Sequence, residues 1–457
     1  MIKVESESEL KTAYKYLLFS ICLFAVASFL SVAATNVFLG ISTLLFLITL
    51  YKNEGVAINE DKLPYFKALG VFAGTLLVSA LCSGDILQGL KTWGDFFIWR
   101  LMPFLILIFV FDKKDAAKKV YNTILGAFLV DALYVIYQGV FVYKLNINWA
   151  RPYGFTGHPM TFAGMLCVLV PVLLVLVFES KILGKYSKFA LPAFVIGAFA
   201  LVLNSTRGAW LAIGIVIGLI CLLYMFKSKK LFITCVSLLL AGGFLLGNNQ
   251  AFMKRVNTFS SIKSATQDPR FKIWDVSIAI FKEHPVLGVG LGKFKSEYQE
   301  KYSKVYPVNE QQKKLAAEYR KYIDNRKAKK LTPEQKKMSK AKRIELRNAY
   351  IAQQKYEGVG RLTHAHNNFL QMLGENGVVG FIGYIFAFGY ILWRNIKNYF
   401  TNKNPYALMI AGSTGALVLQ GLTEYNFGNG AVMKLYWLVL GCLVVLAGYY
   451  NKEFGNN

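Results

Sequence analysis

The sequence predicts an all-α fold: a polytopic membrane helix bundle of about twelve transmembrane helices, with one large helical loop on its outer side. Hydrophobic residues make up 55% of the 457 residues and charged residues only 17%, which excludes an ordinary soluble enzyme and a disordered chain. Apolar stretches of about 20 residues, long enough to span a bilayer as a helix, recur along the chain. One long polar segment, residues 248–363, interrupts them.

Runs with few or no charged residues define the individual spans. Twelve are predicted, at residues 17–34, 36–50, 64–81, 97–111, 120–142, 158–178, 187–204, 208–226, 231–247, 377–393, 406–422 and 431–449. The first is interpreted as an uncleaved helix, because glutamates accompany the lysines before it and the second span follows almost immediately. All six cysteines fall in apolar stretches, so disulfides are not expected to hold the fold.

The short loops predict the orientation. With a cytoplasmic amino terminus, the loops on that side hold Lys52 and Lys62, Lys113 to Lys119, Lys181 to Lys188, Lys227 to Lys230, and Arg394 to Lys403. The opposite short loops hold only Lys91, Lys144, Arg151 and Arg207. Short basic loops are retained on the cytoplasmic side. Both termini are therefore expected in the cytoplasm, and the long polar segment on the opposite side.

The polar segment 248–363 is basic and predicted to be helical. It holds 26 lysines and arginines against 11 aspartates and glutamates. Asp268-Pro269-Arg270 is typical of a helix start. A second helix is predicted at about 309–328, and a third from the capping-box pattern Thr332–Gln335 to about Tyr356. The chain is thus divided into residues 1–247 with nine spans, the loop 248–376, and residues 377–457 with three spans.

Candidate chemistry lies on the predicted outer side, where all four histidines fall: His158, His284, His364 and His366. Histidine has the side-chain pKa nearest neutrality, so a general base is sought there. A helix beginning at about residue 366 would place Asn367, Gln371 and Glu375 on one polar stripe. An interfacial helix whose polar residues only meet lipid headgroups explains the same spacing.

His364 and His366 also form a possible half-site for a metal ion. A metal site needs a third and usually a fourth donor, and no cysteine or nearby carboxylate is evident on the outer side. Glu375 would lie about 13 Å from His366 along a continuous helix. We therefore expect no metal site, and we do not expect Glu375 to orient the His366 ring.

Four arginines accompany the histidines on the outer side: Arg151, Arg207, Arg270 and Arg361. Any one of them could be an anchor that extends to the headgroups. Arginine also keeps its charge and binds phosphate oxygens with two donors at once. Because all four arginines are predicted on the same side of the membrane as the histidines, they indicate a phosphorylated lipid substrate.

Three weaker signals complete the pattern. Gly288–Gly292 could be a phosphate-binding loop, but it follows a predicted helix rather than a strand, which favours a flexible turn that returns the chain to the membrane. Asp131 lies within a span, where a charge is costly, and could face a polar cavity or an ion path. The lysine run 327–343 is interpreted as a solvated helix face, with attraction to anionic glycolipid as the alternative.

The histidine segment resembles the bacterial O-antigen ligase and O-antigen polymerase superfamily. The pattern of that family, His-Asn, nine residues, Gly, two residues, Gly, is met by His366-Asn367, Gly377 and Gly380. The segment Ser205–Trp210 and the stretch from Arg270 to Gly292 also resemble family blocks. The resemblance covers the middle and last third of the chain and implies a multi-span protein with one large periplasmic loop.

The resemblance implies the substrates and the roles of the residues. The donor would be a glycan linked to undecaprenyl pyrophosphate, and no cofactor, metal or nucleic acid partner is expected. Catalytic roles fall to His366, Arg207 and Arg270, and substrate-binding roles are expected for Arg151, Arg361, His364, Asn367 and Trp274. The protein is expected in the bacterial inner membrane, among membrane lipids, with its active site facing the periplasm.

The acceptor is left open by the resemblance. A ligase transfers the glycan to lipid A core, a polymerase to another lipid-linked repeat, and a protein O-oligosaccharyltransferase to protein hydroxyls. The basic insertion 309–356 suits a phosphorylated core and favours the ligase. Two non-enzymatic hypotheses also fit the sequence, namely a polyprenyl-glycan transporter, suggested by twelve spans and Asp131, and a structural membrane partner that docks through its basic loop.

Overall fold

The computed structural model describes residues 2–52, 60–111, 113–146, 150–225, 269–307 and 309–454, with isolated positions at 229, 233, 237 and 253. Within these residues every regular element is a helix, which confirms the all-α prediction. The α-helices are α1 (Ile2–Leu30), α2 (Val32–Lys52), α3 (Leu63–Leu81), α4 (Ile86–Gly94), α5 (Met102–Phe109), α6 (Lys114–Tyr137), α7 (Pro159–Phe178), α8 (Ala190–Asn204), α9 (Arg207–Tyr224), α10 (Pro269–Glu283), α11 (Phe294–Val305), α12 (Glu310–Lys327), α13 (Pro333–Lys337), α14 (Lys340–Gly360), α15 (Asn368–Asn402), α16 (Pro405–Gln420) and α17 (Gly430–Phe454). Short π-helical turns follow α4 and α6, and a 3₁₀ segment precedes α8.

Ten helical segments of the described chain are long and apolar enough to cross a membrane. They correspond to ten of the twelve predicted spans. The predicted span at 406–422 is α16, which has only 16 residues but is mostly buried within the bundle. The predicted span at 231–247 lies outside the described residues. The fold is a polytopic helical bundle.

The fourth span begins at Ile86, eleven residues before its predicted start. The hydropathy pattern excluded this stretch because Lys91 and Asp95 lie within it. The structure accommodates the charge of Asp95 through Arg100, whose Nε donates to the carboxylate at 2.8 Å. The side chain of Asp85 caps the first turn by accepting from Gln88 N at 3.1 Å.

The centre of the bundle is formed by α7 and α17. All side chains from Thr161 to Val177 and from Val432 to Ala447 are buried, so both helices are surrounded by others. Helix α2 is peripheral, because its buried residues recur only every three or four positions and its remaining apolar side chains face outward. Such a single buried stripe is expected of a helix that presents its other faces to lipid.

The loop helices have a hydrophobic core of their own. Helix α10 contributes Ile273, Val276 and Ile280, and α11 contributes Phe294 and Tyr298. The predicted first and second loop helices are present as α10 and α12, although Asp268 lies outside the described residues. Helix α11 was not predicted, because its sequence is mostly polar.

The third predicted loop helix is divided in two. The capping box is present, with Thr332 Oγ1 accepting from Gln335 N at 3.3 Å. The chain leaves helical geometry at Met338, whose ψ is 127°. Ser339 then caps α14 by accepting from Lys342 N at 3.1 Å. The helix predicted from Thr332 to about residue 356 is therefore present as two helices, α13 and α14, with Ser339 capping the second.

The glycine segment 288–292 joins the loop helices to the bundle. Val289 N donates to Gly374 O at 3.1 Å and Gly290 N to Glu375 O at 2.9 Å. Helix α15 is interrupted beside it at Gly377, which has φ 62° and ψ −164°. The predicted turn is present, and its backbone is hydrogen-bonded to α15.

Position 290 at this junction has no room for a side chain. Its φ is +99°, and a Cβ atom there would lie 2.2 Å from Ser83 Cβ. We expect Gly290→Ala to lower the free energy of unfolding by roughly 2–4 kcal/mol, because backbone strain and steric overlap add. The measurement is thermal unfolding of the purified protein in detergent.

Gly358→Ala is the matched control for this prediction. Gly358 lies in α14, and no atom lies within 4 Å of the position that a Cβ atom would take there. Alanine in an open helical position is neutral or slightly stabilising. Equal melting temperatures for Gly290→Ala and wild type would show that the glycine segment tolerates a side chain and is not tightly packed.

Candidate active site

One cavity of about 750 Å³ lies at the end of the bundle that carries the loop helices. It is lined by Arg151, His158, Met160, Arg207, Pro269, Arg270, Ile273, Lys355, Gly358, Val359, Leu362, His366 and Glu424. In the predicted orientation this is the outer end, where α7, α9 and α15 begin and where α16 is followed by the segment 421–429. Four of the lining side chains are basic and only Glu424 is acidic. The cavity therefore has the charge expected of an anion-binding site.

Arg151 is positioned by the Asn204–Arg207 turn. The Nδ2 of Asn204 donates to Pro152 O at 2.9 Å and to Pro159 O at 3.0 Å, so one buried amide holds both ends of the segment after Arg151. Thr206 Oγ1 donates to Asn204 Oδ1 at 2.6 Å. A guanidinium nitrogen of Arg151 lies 3.5 Å from the same hydroxyl. These contacts bring Arg151 to the start of α9.

Asp131 supports the same segment. Its Oδ1 accepts a hydrogen bond from Phe155 N at 2.8 Å, and the side chain is buried beside Gly154. Asp131 therefore binds the backbone of the chain that carries Arg151. The transporter hypothesis took this residue as part of an ion path, whereas its contacts are those of a residue that fixes a loop.

Arg207 is the first residue of α9, directly beside the segment 421–429. A Cβ atom on Gly208 would lie 2.1 Å from Thr423 Oγ1, so only glycine permits this approach. A small side pocket of about 50 Å³ continues the cavity between these elements. It is also lined by Arg151, Arg270 and Glu424. The close contact brings Arg207 and Glu424 to one place, although 217 positions separate them in the sequence.

His366 is hydrogen-bonded to Glu424. Its Nδ1 lies 3.3 Å from Glu424 Oε2. His366 has a left-handed φ of 48° and precedes the helix, which begins at Asn368. The helix predicted from about residue 366 is present and begins two residues later. The left-handed backbone at His366 directs the ring towards the 421–429 segment. The ring does not lie along the face of α15 that carries Gln371 and Glu375.

Glu424 was missed by the sequence analysis. It lies 58 residues after His366, and its only signal is the short polar run Glu424-Tyr425-Asn426 between two apolar helices. Glu375, by contrast, accepts from Gly292 N at 2.6 Å and from Gln371 Nε2 at 3.0 Å. It holds the glycine segment and does not orient His366, as the expected distance had indicated.

The two asparagines after His366 tie it to the segment that carries Glu424. Asn367 Oδ1 caps α15 by accepting from Phe369 N at 2.8 Å, while its Nδ2 donates to Leu422 O at 2.9 Å. Asn368 N donates to Gly421 O at 2.7 Å, and its side chain bonds to Asn426 at 2.7 Å. Asn367, predicted to bind substrate, thus has structural contacts and is not a cavity residue.

The charges in the cavity act on one another. Burial raises the pKa of Glu424, but its hydrogen bond to His366 and the charges of His366, His364 and Arg270 outweigh this and lower the pKa below its usual value. Burial lowers the pKa of the Arg151 guanidinium, and the like charges of Arg270 and Arg207 lower it further. Arg270 and Arg207 are therefore close enough to repel Arg151, a repulsion that a bound anion would relieve.

Three other predicted site residues do not line the cavity. Arg361 is 78% exposed and pairs with Glu357 at 3.3 Å. Trp274 packs with the core of the loop helices. The His364 ring lies 4.2 Å from the His366 ring and 5.6 Å from that of Tyr425, behind the cavity wall. Of these three residues, His364 contacts His366, which lines the cavity.

His364, His366 and Glu424 place three possible metal-ligand atoms within 4.8 Å of one another. The expectation that no carboxylate lies near the two histidines is therefore wrong. Three protein donors with an open fourth position can hold a catalytic zinc ion. Here the His366 nitrogen that faces Glu424 is at hydrogen-bonding distance from it, which is the arrangement of an oriented base.

Comparison with known proteins agrees with the resemblance of the motifs. Residues 192–318 match the family model described as O-antigen ligase. Over these residues the chain is similar to the O-antigen ligase family. The matched residues include Arg207 and Arg270, whereas His366 and Glu424 lie beyond them.

A protein of Haemophilus influenzae, described as uncharacterized, is 26% identical over 245 residues. The alignment covers 51% of this chain and 59% of the relative. The chain therefore matches about three fifths of the relative's length.

His364 gives the site a predictable pH dependence. Burial, followed by the charge of His366, lowers its pKa from 6.5 to about 4, with Glu424 acting in the opposite direction. Protonation is thus harder in the folded than in the unfolded state, so folding stability falls as the pH drops from about 6.5 towards 4. We expect His364→Asn to flatten this fall, measured as the melting temperature in detergent between pH 4 and 8.

Above pH 7 we expect the melting temperatures of His364→Asn and wild type to differ by a constant amount. This difference reflects the loss of the imidazole ring, which packs beside His366 and Tyr425 in wild type. A fall with the wild-type slope in His364→Asn would contradict the prediction and assign the acid sensitivity to other groups, such as Glu424, whose pKa is lowered in the folded protein.

Proposed function

We propose that this protein is a metal-independent, inverting glycosyltransferase that moves a glycan from undecaprenyl pyrophosphate to an acceptor hydroxyl at the periplasmic face of the inner membrane. One observation carries the proposal: a histidine paired with a carboxylate lines the same cavity as three arginines. The pair of His366 and Glu424 is suited to removing a proton from a hydroxyl. The three arginines are suited to binding a diphosphate. The match of residues 192–318 to the O-antigen ligase family model supports the reaction class.

His366 acts as the general base in this proposal. Because Nδ1 faces Glu424, the carboxylate favours the tautomer that carries its proton on Nδ1 and leaves Nε2 to accept the proton of the acceptor hydroxyl. The acceptor oxygen attacks C1 of the sugar as the C1–O bond to pyrophosphate breaks. The bonding electron pair leaves with the pyrophosphate, and direct attack inverts the configuration at C1. Glu424 then stabilises the imidazolium that has formed.

The arginines bind the diphosphate and stabilise its departure. Guanidinium groups bind phosphate oxygens through paired donors and keep their charge. Arg151, Arg207 and Arg270 come from three separate parts of the chain and line one cavity, so they can bind the leaving group together. Charge that develops on the pyrophosphate is met by cations already in place, which is the most effective form of electrostatic catalysis.

We propose lipid A core as the acceptor, which makes the reaction O-antigen ligation in lipopolysaccharide synthesis. The exposed basic hairpin of α12 and α14 suits the phosphates of such an acceptor. A polymerase that transfers to another lipid-linked repeat is the second candidate, because the same cavity chemistry serves any sugar hydroxyl. The mass of the product separates them, since only a ligase joins donor glycan to lipid A core supplied alone.

His366→Ala tests the assigned base. We expect activity to fall by a factor of ~100 to 10,000, the usual contribution of general-base catalysis. Glu424→Gln is expected to cost roughly 10- to 100-fold, because a hydrogen bond to a charged partner is weakened. The assay follows glycan transfer by purified protein, with chelator present.

His284→Ala is the matched control, since this exposed histidine lies outside the cavity. Full activity of His366→Ala would reject the assigned base. Activity that disappears in wild type when chelator is added would instead support a metal held by His364, His366 and Glu424.

The arginines give a second, independent test. We expect Arg207→Gln to lower kcat/KM by roughly 10- to 100-fold, because a charge-assisted contact to phosphate is removed. Arg361→Gln makes the same chemical change at a side chain that is 78% exposed and is expected to stay within about twofold of wild type. Equal losses in the two variants would mean that bulk positive charge, and not the cavity, binds the donor.

A further inference from the structure

A second cavity of about 540 Å³ adjoins the first within the loop helices. The two share one wall, formed by Pro269, Lys355 and Val359. Helix α14 contributes to both, and the first turn of α12 contributes Gln312 only to the second. The basic insertion therefore takes part in building a cavity, and its remaining surface is the exposed hairpin.

Three tyrosines form the aromatic part of this cavity. The ring centroid of Tyr302 lies 5.5 Å from that of Tyr306 and 5.1 Å from that of Tyr356. Tyr306 and Tyr356 are half-buried, so they combine a fixed position with an accessible surface. Tyr356 OH donates to Tyr306 O at 2.8 Å, which fixes one ring against the backbone of the other. Tyrosine clusters of this kind offer flat, rigid surfaces with polar edges.

The hydroxyl of Tyr302 has an unmet hydrogen-bonding capacity. The residue is only 2% exposed, and its OH group has no hydrogen-bond partner among the described residues. Tyr302 lines the second cavity. A buried polar group without a partner costs free energy, which a ligand hydroxyl in the cavity would recover.

Amides and a cation complete the lining. Gln312 and Gln353 place side-chain amides on the wall, and each amide can both donate and accept hydrogen bonds. Lys272 lies over the Tyr306 ring, with Nζ 5.0 Å from its centroid. No aspartate or glutamate is among the described residues that line this cavity. The cavity thus joins aromatic faces, paired donors and acceptors, and net positive charge.

We propose that this second cavity binds acidic sugar residues of the glycan substrate, beyond the sugar that reacts. Sugar rings present apolar faces that pack on tyrosine and hydroxyls that match amides, and a carboxylate or phosphate on the sugar pairs with Lys272. The shared wall lets one oligosaccharide extend from the reacting centre into this subsite. The biological role rests on the proposed glycosyltransferase function, whereas binding of the sugar does not require that function.

The first experiment measures binding alone. Purified full-length protein in detergent is titrated with tri-galacturonic acid and with uncharged maltotriose by isothermal calorimetry. We expect Lys272→Gln to weaken binding of the acidic trisaccharide about tenfold, through removal of one charge-assisted contact. Gln312→Ala is expected to weaken both trisaccharides about fivefold.

Lys282→Gln and Gln311→Ala are the matched controls. Each makes the same change on the same helix, at an exposed position outside the cavity. Binding that is equal in Lys272→Gln and Lys282→Gln, or no detectable binding of the acidic trisaccharide by wild type, would overturn the proposal.

The second experiment assigns the sugar to the donor or the acceptor. In the transfer assay, Lys272→Gln should raise KM for one substrate about tenfold and leave kcat within about twofold, because the subsite lies outside the reacting centre. A raised KM for the donor places its glycan in the subsite, and a raised KM for the acceptor places the acceptor there. An unchanged KM for both contradicts the proposal even when transferase activity is present. Absence of transfer by wild type rejects the proposed function and leaves the binding result standing.

Discussion

The hydrogen bonds of Asn367 and Asn368 hold together two parts of the chain that form no common helix. Asn367 ends the loop by capping α15 and reaches across to Leu422 O. Asn368 binds Gly421 O through its backbone and also contacts Tyr384 and Asn426 through its buried side chain. Glu424 lies within the segment held in this way. The 3.3 Å contact between Glu424 and His366 therefore depends on the two amides rather than on helix packing alone.

A second constraint places Arg270 opposite that histidine. Arg270 lies in the first turn of α10, which packs in the core of the loop helices. The loop helices are joined to the bundle where the glycine segment runs along the interrupted helix α15. Val378 N donates to Pro285 O at 2.9 Å there. Because a continuous helix at Gly377 would use these backbone groups internally, the interruption is what makes the junction possible.

The polar residues at the cavity end of the bundle divide into two kinds by their surroundings. Asp131, Asn204, Asn368 and Glu375 are buried and use their side chains to hold backbone. Arg151, Arg207, Arg270 and His366 line open volume, where their charge can act on a ligand. Each of the four buried residues holds the backbone through at least one hydrogen bond, although Asp131 Oδ2 has no partner among the described residues. The arginines that line the cavity give it a positive potential, and Glu424 is the carboxylate in its lining that partly offsets this potential.

The sequence by itself determined the bundle, because spans of apolar residues have a length set by the bilayer and need no partner to be recognised. It also predicted that His366, Arg207 and Arg270 lie on one side of the membrane, and the structure places all three around one cavity. Local chemistry predicted α10 and the capping box at Thr332, whose signals lie within a few residues.

Tertiary structure alone decided which polar residues meet. Glu424 is joined to His366 across 58 positions by amide contacts that no periodicity records. Arg361 belongs to the same histidine segment in the sequence but faces solvent, because α14 ends in a turn that directs it outward. The glycine segment has the sequence pattern of a loose turn, yet its backbone is matched to α15. Side-chain direction and backbone pairing between distant segments depend on packing, and a linear pattern does not contain that information.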